Sequence, residues 1–264
     1  YAQMSDPALA EWIGAHVTFP CTMVDRIVPA TTEADIAEVA RLLGVVDAAP
    51  VVAEPYNSWV LENRFATARP PWEDAGAQIV ADVAPFETMK LRLLNGSHST
   101  LAYLGFLSGH EFIWQASADP LLATLVERLM AEEVMPTLVA PPGVDLPAYG
   151  AQLMRRFRNP ALPHRTQQIA MDGSQKLPQR LLGTVRERLA GGGSIANLAL
   201  AIAGWIRYAS GVDEHGKPIA VSDPLAGKFA AIATAARGNA AQIAEGFLDL
   251  ADVFGADLSG NTVF

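Results

Sequence analysis

The chain has 264 residues, half of them hydrophobic and 18% charged, with 28 acidic against 19 basic side chains and a net charge of -9. Such a composition suits a well-cored protein of one large or two modest domains, and its acidic balance argues against a nucleic-acid partner, whose phosphates are met by Lys and Arg. The single cysteine, Cys21, excludes an internal disulfide, and no apolar run reaches the ~20 residues that span a bilayer, so a reducing, cytoplasmic setting without a membrane partner is expected.

Asp6-Pro7 followed by Leu9, Trp12 and Ile13 predicts a short opening helix with Asp6 as its cap. Residues 17–28 are β-rich around Pro20 and read as one strand with an irregular entry, in which Cys21 is a small buried apolar residue. Thr32-x-x-Asp35 opens a helix with Ile36, Val39, Ala40 and Leu43 on one face, and Gly44 ends it. Residues 51–61 form a second extended segment, and Arg69-Pro70-Pro71 marks a turn. From about Lys90 onward helical periodicity takes over, near 90–109, 119–138, 145–158, 173–190, 194–210, 223–237 and 239–254. Asp145, Ser194, Asp223 and Asn239 are placed to cap four of these, and Gly191-Gly192-Gly193 separates two. Glu132-Glu133 reads as an exposed helical face, Arg155-Arg156-x-Arg158 as a solvated helix end and residues 213–218 as a surface loop. His16, His110 and His215 show no ligand spacing, so no metal site is expected. The expected fold is mainly α, with a small β-containing N-terminal portion (1–84) leading into a helical domain (85–264).

Chemistry is concentrated in Lys90-Leu-Arg-Leu-Leu-Asn95-Gly-Ser-His98. On an α-helix Lys90, Asn95 and His98 fall near 0°, 140° and 80° at ~100° per residue, so all three can border one cavity. Oxidising an alcohol needs a base for the hydroxyl proton, and a desolvated lysine can serve. It also needs a preorganised donor for the developing alkoxide, which an amide such as Asn95 supplies. On spacing alone, the same triplet also fits a snorkelling lysine beside a polar helix cap.

The surrounding words make the match specific. Phe19-Pro-Cys-Thr-Met-Val-Asp25-Arg26-Ile27-Val-Pro29, Glu54-Pro-Tyr-x-x-Trp59-Val60, Arg69-Pro70, the Lys90–His98 motif, and His164-Arg165-Thr-x-Gln-Ile-Ala-Met-Asp172-Gly173-Ser174-Gln-Lys176 occur in that order. Together they resemble the mannitol dehydrogenase and fructuronate reductase family, over almost the whole chain. The resemblance implies a multi-helical, 6-phosphogluconate-dehydrogenase-like C-terminal domain, preceded by a small β-containing portion of a Rossmann-type domain. It implies Lys90 as general acid/base, Asn95 as part of an oxyanion hole and His98 as a contact for substrate hydroxyls. Asp25 is implied near both substrate and nicotinamide with Val24 beside it, and Lys176 as a further substrate contact.

Two departures shape the expectation. Polyol-oxidising relatives tend to carry an arginine where this chain has Gln168. His164-Arg165 and the run to Arg180 look more like the sugar-acid branch, with Arg165 either meeting a substrate carboxylate or serving as a surface or interhelix arginine. In addition, no Gly-rich turn follows a strand, and the family's second oxyanion asparagine would lie before Tyr1. The cofactor, NAD or NADP, is therefore expected to be bound mainly by residues outside this chain, which alone is expected to be inactive. The resulting expectation is a metal-independent dehydrogenase of a sugar acid or polyol, fructuronate and mannonate first, with mannitol and fructose as the alternative. A non-catalytic helical assembly module is the remaining possibility, and it has no need of the triplet.

Overall fold

Asp6 caps the first full helix, α1 (Pro7–His16), its carboxylate accepting from the Leu9 amide at 3.1 Å with Pro7 in the first turn. This helix belongs to the first of two units, Tyr1–Glu87 and Thr88–Phe264, in a computed structural model that describes residues 1–261 and 264. Strand β1 (Thr22–Asp25) pairs antiparallel with β2 (Ser58–Glu62), which pairs in parallel with β3 (Gln78–Val80). β1 is much shorter than the β-rich stretch 17–28. Cys21 lies one residue outside it, beyond the alternation that buries Met23 and Asp25, and is exposed rather than buried as expected. Its amide is held by Glu62 Oε2 at 2.9 Å. β3 was not anticipated, because three residues are too few to show a period. Between β1 and β2, α2 (Glu33–Leu43) carries the full capping box: Asp35 N donates to Thr32 Oγ1 and Thr32 N to Asp35 Oδ2, at 3.3 and 2.7 Å. Gly44 closes it in the left-handed region at φ 71°.

The helical part follows the expected order of segments, with three instructive differences. First, the long segments around 90–109, 119–138 and 173–190 are not uniform α-helices. Each contains a π-helical turn: Lys90–Asn95 between α3 (Ala84–Met89) and α4 (Gly96–Leu107), Leu129–Val134 after α6 (Pro120–Arg128), and Pro178–Leu182 between α8 (Gly173–Leu177) and α9 (Gly183–Ala190). A short helix, α5 (Ile113–Ala118), precedes α6 and was not foreseen. Second, residues 239–254 form two helices, α12 (Ala240–Leu248) and α13 (Ala251–Ser259), instead of one.

Third, two charged groups read as solvated are buried. Glu133 is 1% exposed and accepts from Asn197 N, Asn197 Nδ2 and Leu198 N, each at 2.8 Å, at the start of α10 (Ala196–Ala209). The first amides of a helix have no intrahelical acceptor; Ser194 Oγ accepts from Ala196 N at 3.3 Å, as expected of a cap, and Glu133 takes the next two amides. Arg156 is 8% exposed, because on α7 (Leu146–Phe157) it shares a face with the buried Leu153 and Phe157. Asp145 and Asn239 do cap α7 and α12. At the core of this unit Trp205 on α10 meets Phe229 of α11 (Ala226–Ala236) and Phe247 of α12 edge-on, at 5.6 and 5.5 Å between ring centroids. Among the described residues no helix is long and apolar enough to cross a membrane.

Candidate functional site

Lys90 and Asn95 are the first and last residues of the π-helical turn. Closing i to i+5 advances each residue by about 80° instead of 100°, which draws Lys90, Asn95 and His98 into an arc of about 60° in place of about 140°. The uniform α spacing assumed from sequence is thus corrected, and the ideal angular spread of the triplet narrows. Lys90 is half-buried and has no hydrogen bond or ion pair among the described residues. The Oδ1 atom of Asn95 and the Nε2 atom of His98 are buried without a protein partner. Buried polar atoms left in this way point to a missing acceptor or donor such as water or a ligand.

His98 stacks on Phe157 at 5.3 Å and lies 5.5 Å from the His164 ring, which is also buried. Burial above all, and then the positive fields of His164, Arg180, Lys176 and Arg156, holds its pKa well below the ordinary histidine value. The imidazole is therefore neutral near pH 7 and offers one donor and one acceptor nitrogen.

The segment carrying Lys176 is pinned by its backbone. Asp172 sits in the left-handed region at φ 55° and donates its amide to Ser222 O at 2.9 Å. A Cβ on the following Gly173 would stand 2.2 Å from Trp205 Nε1 and 2.8 Å from the Tyr103 hydroxyl, so only glycine lets this turn seat. Ser174 donates both its amide and its hydroxyl to Asp223, at 2.8 and 2.7 Å. Lys176 Nζ then donates to Met171 O at 2.5 Å and Ile169 O at 3.4 Å. Desolvation and the Arg180 charge lower its pKa, against the opposing pull of Asp172 and Asp223.

Arg165 is exposed, ion-paired with Glu111, and places its guanidinium 5.3 Å over the Phe112 ring. In the first unit, Val24 and Asp25 are neighbours on β1 with opposite facing: Val24 is 50% exposed and Asp25 2%. Sequence reasoning assigned no role to Arg180, Arg156 or Tyr103. Arg180 Nη1 donates to Ser99 Oγ at 2.9 Å, beside His98, and the Tyr103 hydroxyl is buried without a partner. The signal available for Arg180 was its spacing, four residues after Lys176.

Among the described residues no group of three or more His, Cys, Asp or Glu could hold a metal ion. A dinucleotide pyrophosphate is bound by free amides at a Gly-rich strand-to-helix turn. The connection from β1 to α2 contains no glycine, and neither does the one from β3 to α3. The residues present therefore do not fit that part of a nicotinamide cofactor.

The family described as mannitol dehydrogenase C-terminal domain matches residues 82–264, and the mannitol dehydrogenase Rossmann domain matches residues 2–74. D-mannonate oxidoreductase of Escherichia coli K12 is 52% identical over all of this chain and 54% of its own length. Mannitol 2-dehydrogenase of Aspergillus fumigatus is 39% identical over all of this chain and 52% of its own. A solved structure of Pseudomonas fluorescens mannitol 2-dehydrogenase, a ternary complex with NAD and D-mannitol, superposes with a TM-score of 0.88 at 38% identity. That alignment covers 99% of this chain and 52% of the other. The chain spans about half the length of the relatives it matches.

Proposed function

We propose, for a chain that belongs to the mannitol dehydrogenase family, that it handles the substrate in an NAD(P)-linked oxidoreductase interconverting a sugar acid or polyol with its keto form. The observation that supports this reading is the π turn Lys90–Asn95, whose ideal geometry narrows the arc of Lys90, Asn95 and His98, together with the buried, unpartnered polar atoms of Asn95 and His98. In this reading residues 85–264 are the substrate-binding and catalytic domain, and residues 1–84 belong with the nucleotide-binding fold.

Lys90 takes the hydroxyl proton in oxidation and returns it in reduction. The Asn95 amide stabilises the alkoxide-like oxygen, where a fixed donor costs no reorganisation as charge develops. Neutral His98 exchanges a hydrogen bond with a neighbouring hydroxyl, and Lys176 and His164, whose charges act on His98, serve as further substrate contacts. Val24 and Asp25 are assigned, on the family resemblance, the roles of nicotinamide and substrate contacts. A bound nicotinamide would supply the hydride in reduction and take it up in oxidation. This chain's own residues position the substrate and move the proton.

A sugar acid is the first choice, supported by the cationic surroundings of His98 and by the 52% identity to a protein named for mannonate. The polyol reading rests on the more distant mannitol 2-dehydrogenases. A panel of fructuronate, tagaturonate, fructose and mannitol on the full-length protein separates them. Fructuronate is expected to be reduced fastest, and a much faster reduction of fructose would remove the sugar-acid reading.

A further inference from the structure

We infer that Arg180 anchors the carboxylate of a straight-chain sugar acid, and so decides between an acidic substrate and a neutral polyol. This deepens the reading above and rests on it for the identity of the site. The first observation is an unbalanced charge. Arg180 is half-buried, its one side-chain hydrogen bond goes to the neutral hydroxyl of Ser99, and among the described residues no carboxylate pairs with it. Several other arginines of the same unit are paired with carboxylates: Arg92 with Glu187, Arg186 with Asp257, Arg207 with Glu214 and Arg165 with Glu111. A guanidinium does not shed its proton, so partial desolvation without a counter-charge is a standing cost that an anionic ligand relieves. Desolvation already lowers the pKa of this group.

The second observation is position. A Cβ on Gly96 would lie 2.9 Å from the carbonyl oxygen of Arg180, so the turn bearing Arg180 is pressed against the turn that ends in Asn95. Ser99, which holds the guanidinium, follows His98 directly. The charge of Arg180 reaches His98, Lys176 and Tyr103. The carboxylates nearest this cluster, Asp172 and Asp223, act on Lys176, and both Asp223 oxygens already accept from Ser174. Arg180, a guanidinium without a partner carboxylate among the described residues, therefore acts on the same groups as the buried, unpartnered His98 Nε2 and Tyr103 hydroxyl, with the unpartnered Asn95 Oδ1 on the turn pressed against its own. A carboxylate followed by a hydroxylated chain matches both features, whereas a polyol satisfies only the second. Arg165, the residue that the sequence offered for this role, is held at the surface by Glu111.

The test is calorimetric titration of the full-length protein, with NAD present, using D-mannonate and D-mannitol as probes. The wild type is expected to bind mannonate more tightly than mannitol. Arg180→Gln is expected to weaken mannonate by about 10–100-fold, as for loss of charge-assisted hydrogen bonds, with a far smaller effect on mannitol. Arg180→Lys keeps the charge but not the fork, and is expected to lower the mannonate preference partway. Equal weakening of both ligands, an unchanged preference in both variants, or no preference in the wild type would overturn the assignment. Should Arg180→Gln fail to fold, as judged by circular dichroism, the preference of Arg180→Lys decides. Selective mannonate binding without any turnover would sink the oxidoreductase reading and leave the anchor standing. Sugar-acid turnover with an unchanged preference in the variants would do the reverse.

Discussion

His98 is a titratable group that the fold keeps neutral, and this has a consequence that can be measured. Its folded pKa lies below the unfolded value of ~6.5, so on acidification the unfolded chain takes up this proton first. The corresponding stability is complete above about pH 6.5 and is lost as pH falls from there towards the folded pKa. Wild-type protein is expected to lose more stability than His98→Gln between about pH 7.5 and 5.5, read from urea midpoints. Parallel losses would show that burial of His98 carries no such penalty. Lys90 makes the complementary prediction about rate. Lys90→Ala in the full-length protein should lower turnover by about 10²–10⁴, the usual effect of removing a general base, with an unchanged circular dichroism spectrum. Partial rescue by small amines would support the assignment, and near-normal turnover would remove Lys90 from the mechanism.

The π turns are features of elements, and they explain why periodicity gave the right segments with imperfect faces. An apolar repeat read at 100° per residue locates a helix, but one extra residue within a turn rotates everything beyond it. At Lys90–Asn95 that rotation narrows the ideal arc spanned by Lys90, Asn95 and His98. Glu133, within the π turn Leu129–Val134, is directed to the N-terminus of α10. Glu133→Ala would leave three buried donors without an acceptor, at a cost on the order of 3–5 kcal/mol. Chemical denaturation should register this as a lower midpoint with little change in slope. A loss below about 1 kcal/mol would mean that water replaces the carboxylate.

At the scale of the whole molecule, the sheet and the helical unit answer to different parts of the proposed reaction. The strands of the first unit lead into no Gly-rich turn, which is where free backbone amides would meet a pyrophosphate. Residues 1–264 expressed alone are accordingly expected to show no tight binding of NADH or NADPH in a calorimetric titration. Micromolar affinity would reveal a nucleotide site built in some other way from these residues.

The sequence by itself determined the mainly α fold and most helix positions, because apolar periodicity and caps such as Asp6, Thr32, Asp145 and Asn239 act within a few residues. The family was also legible, since its motifs are runs of specific residues in a specific order. Tertiary structure decided which polar groups are buried and what they meet. Glu133 finds the amides of Asn197 and Leu198, more than sixty residues away, and Arg180 finds Ser99 across 81 positions. It also decided that Arg165 is held by Glu111 and that Cys21 is exposed. The physical reason is one of range. Capping and periodicity are local, whereas the desolvation and charge pairing of a side chain depend on residues brought close only by packing.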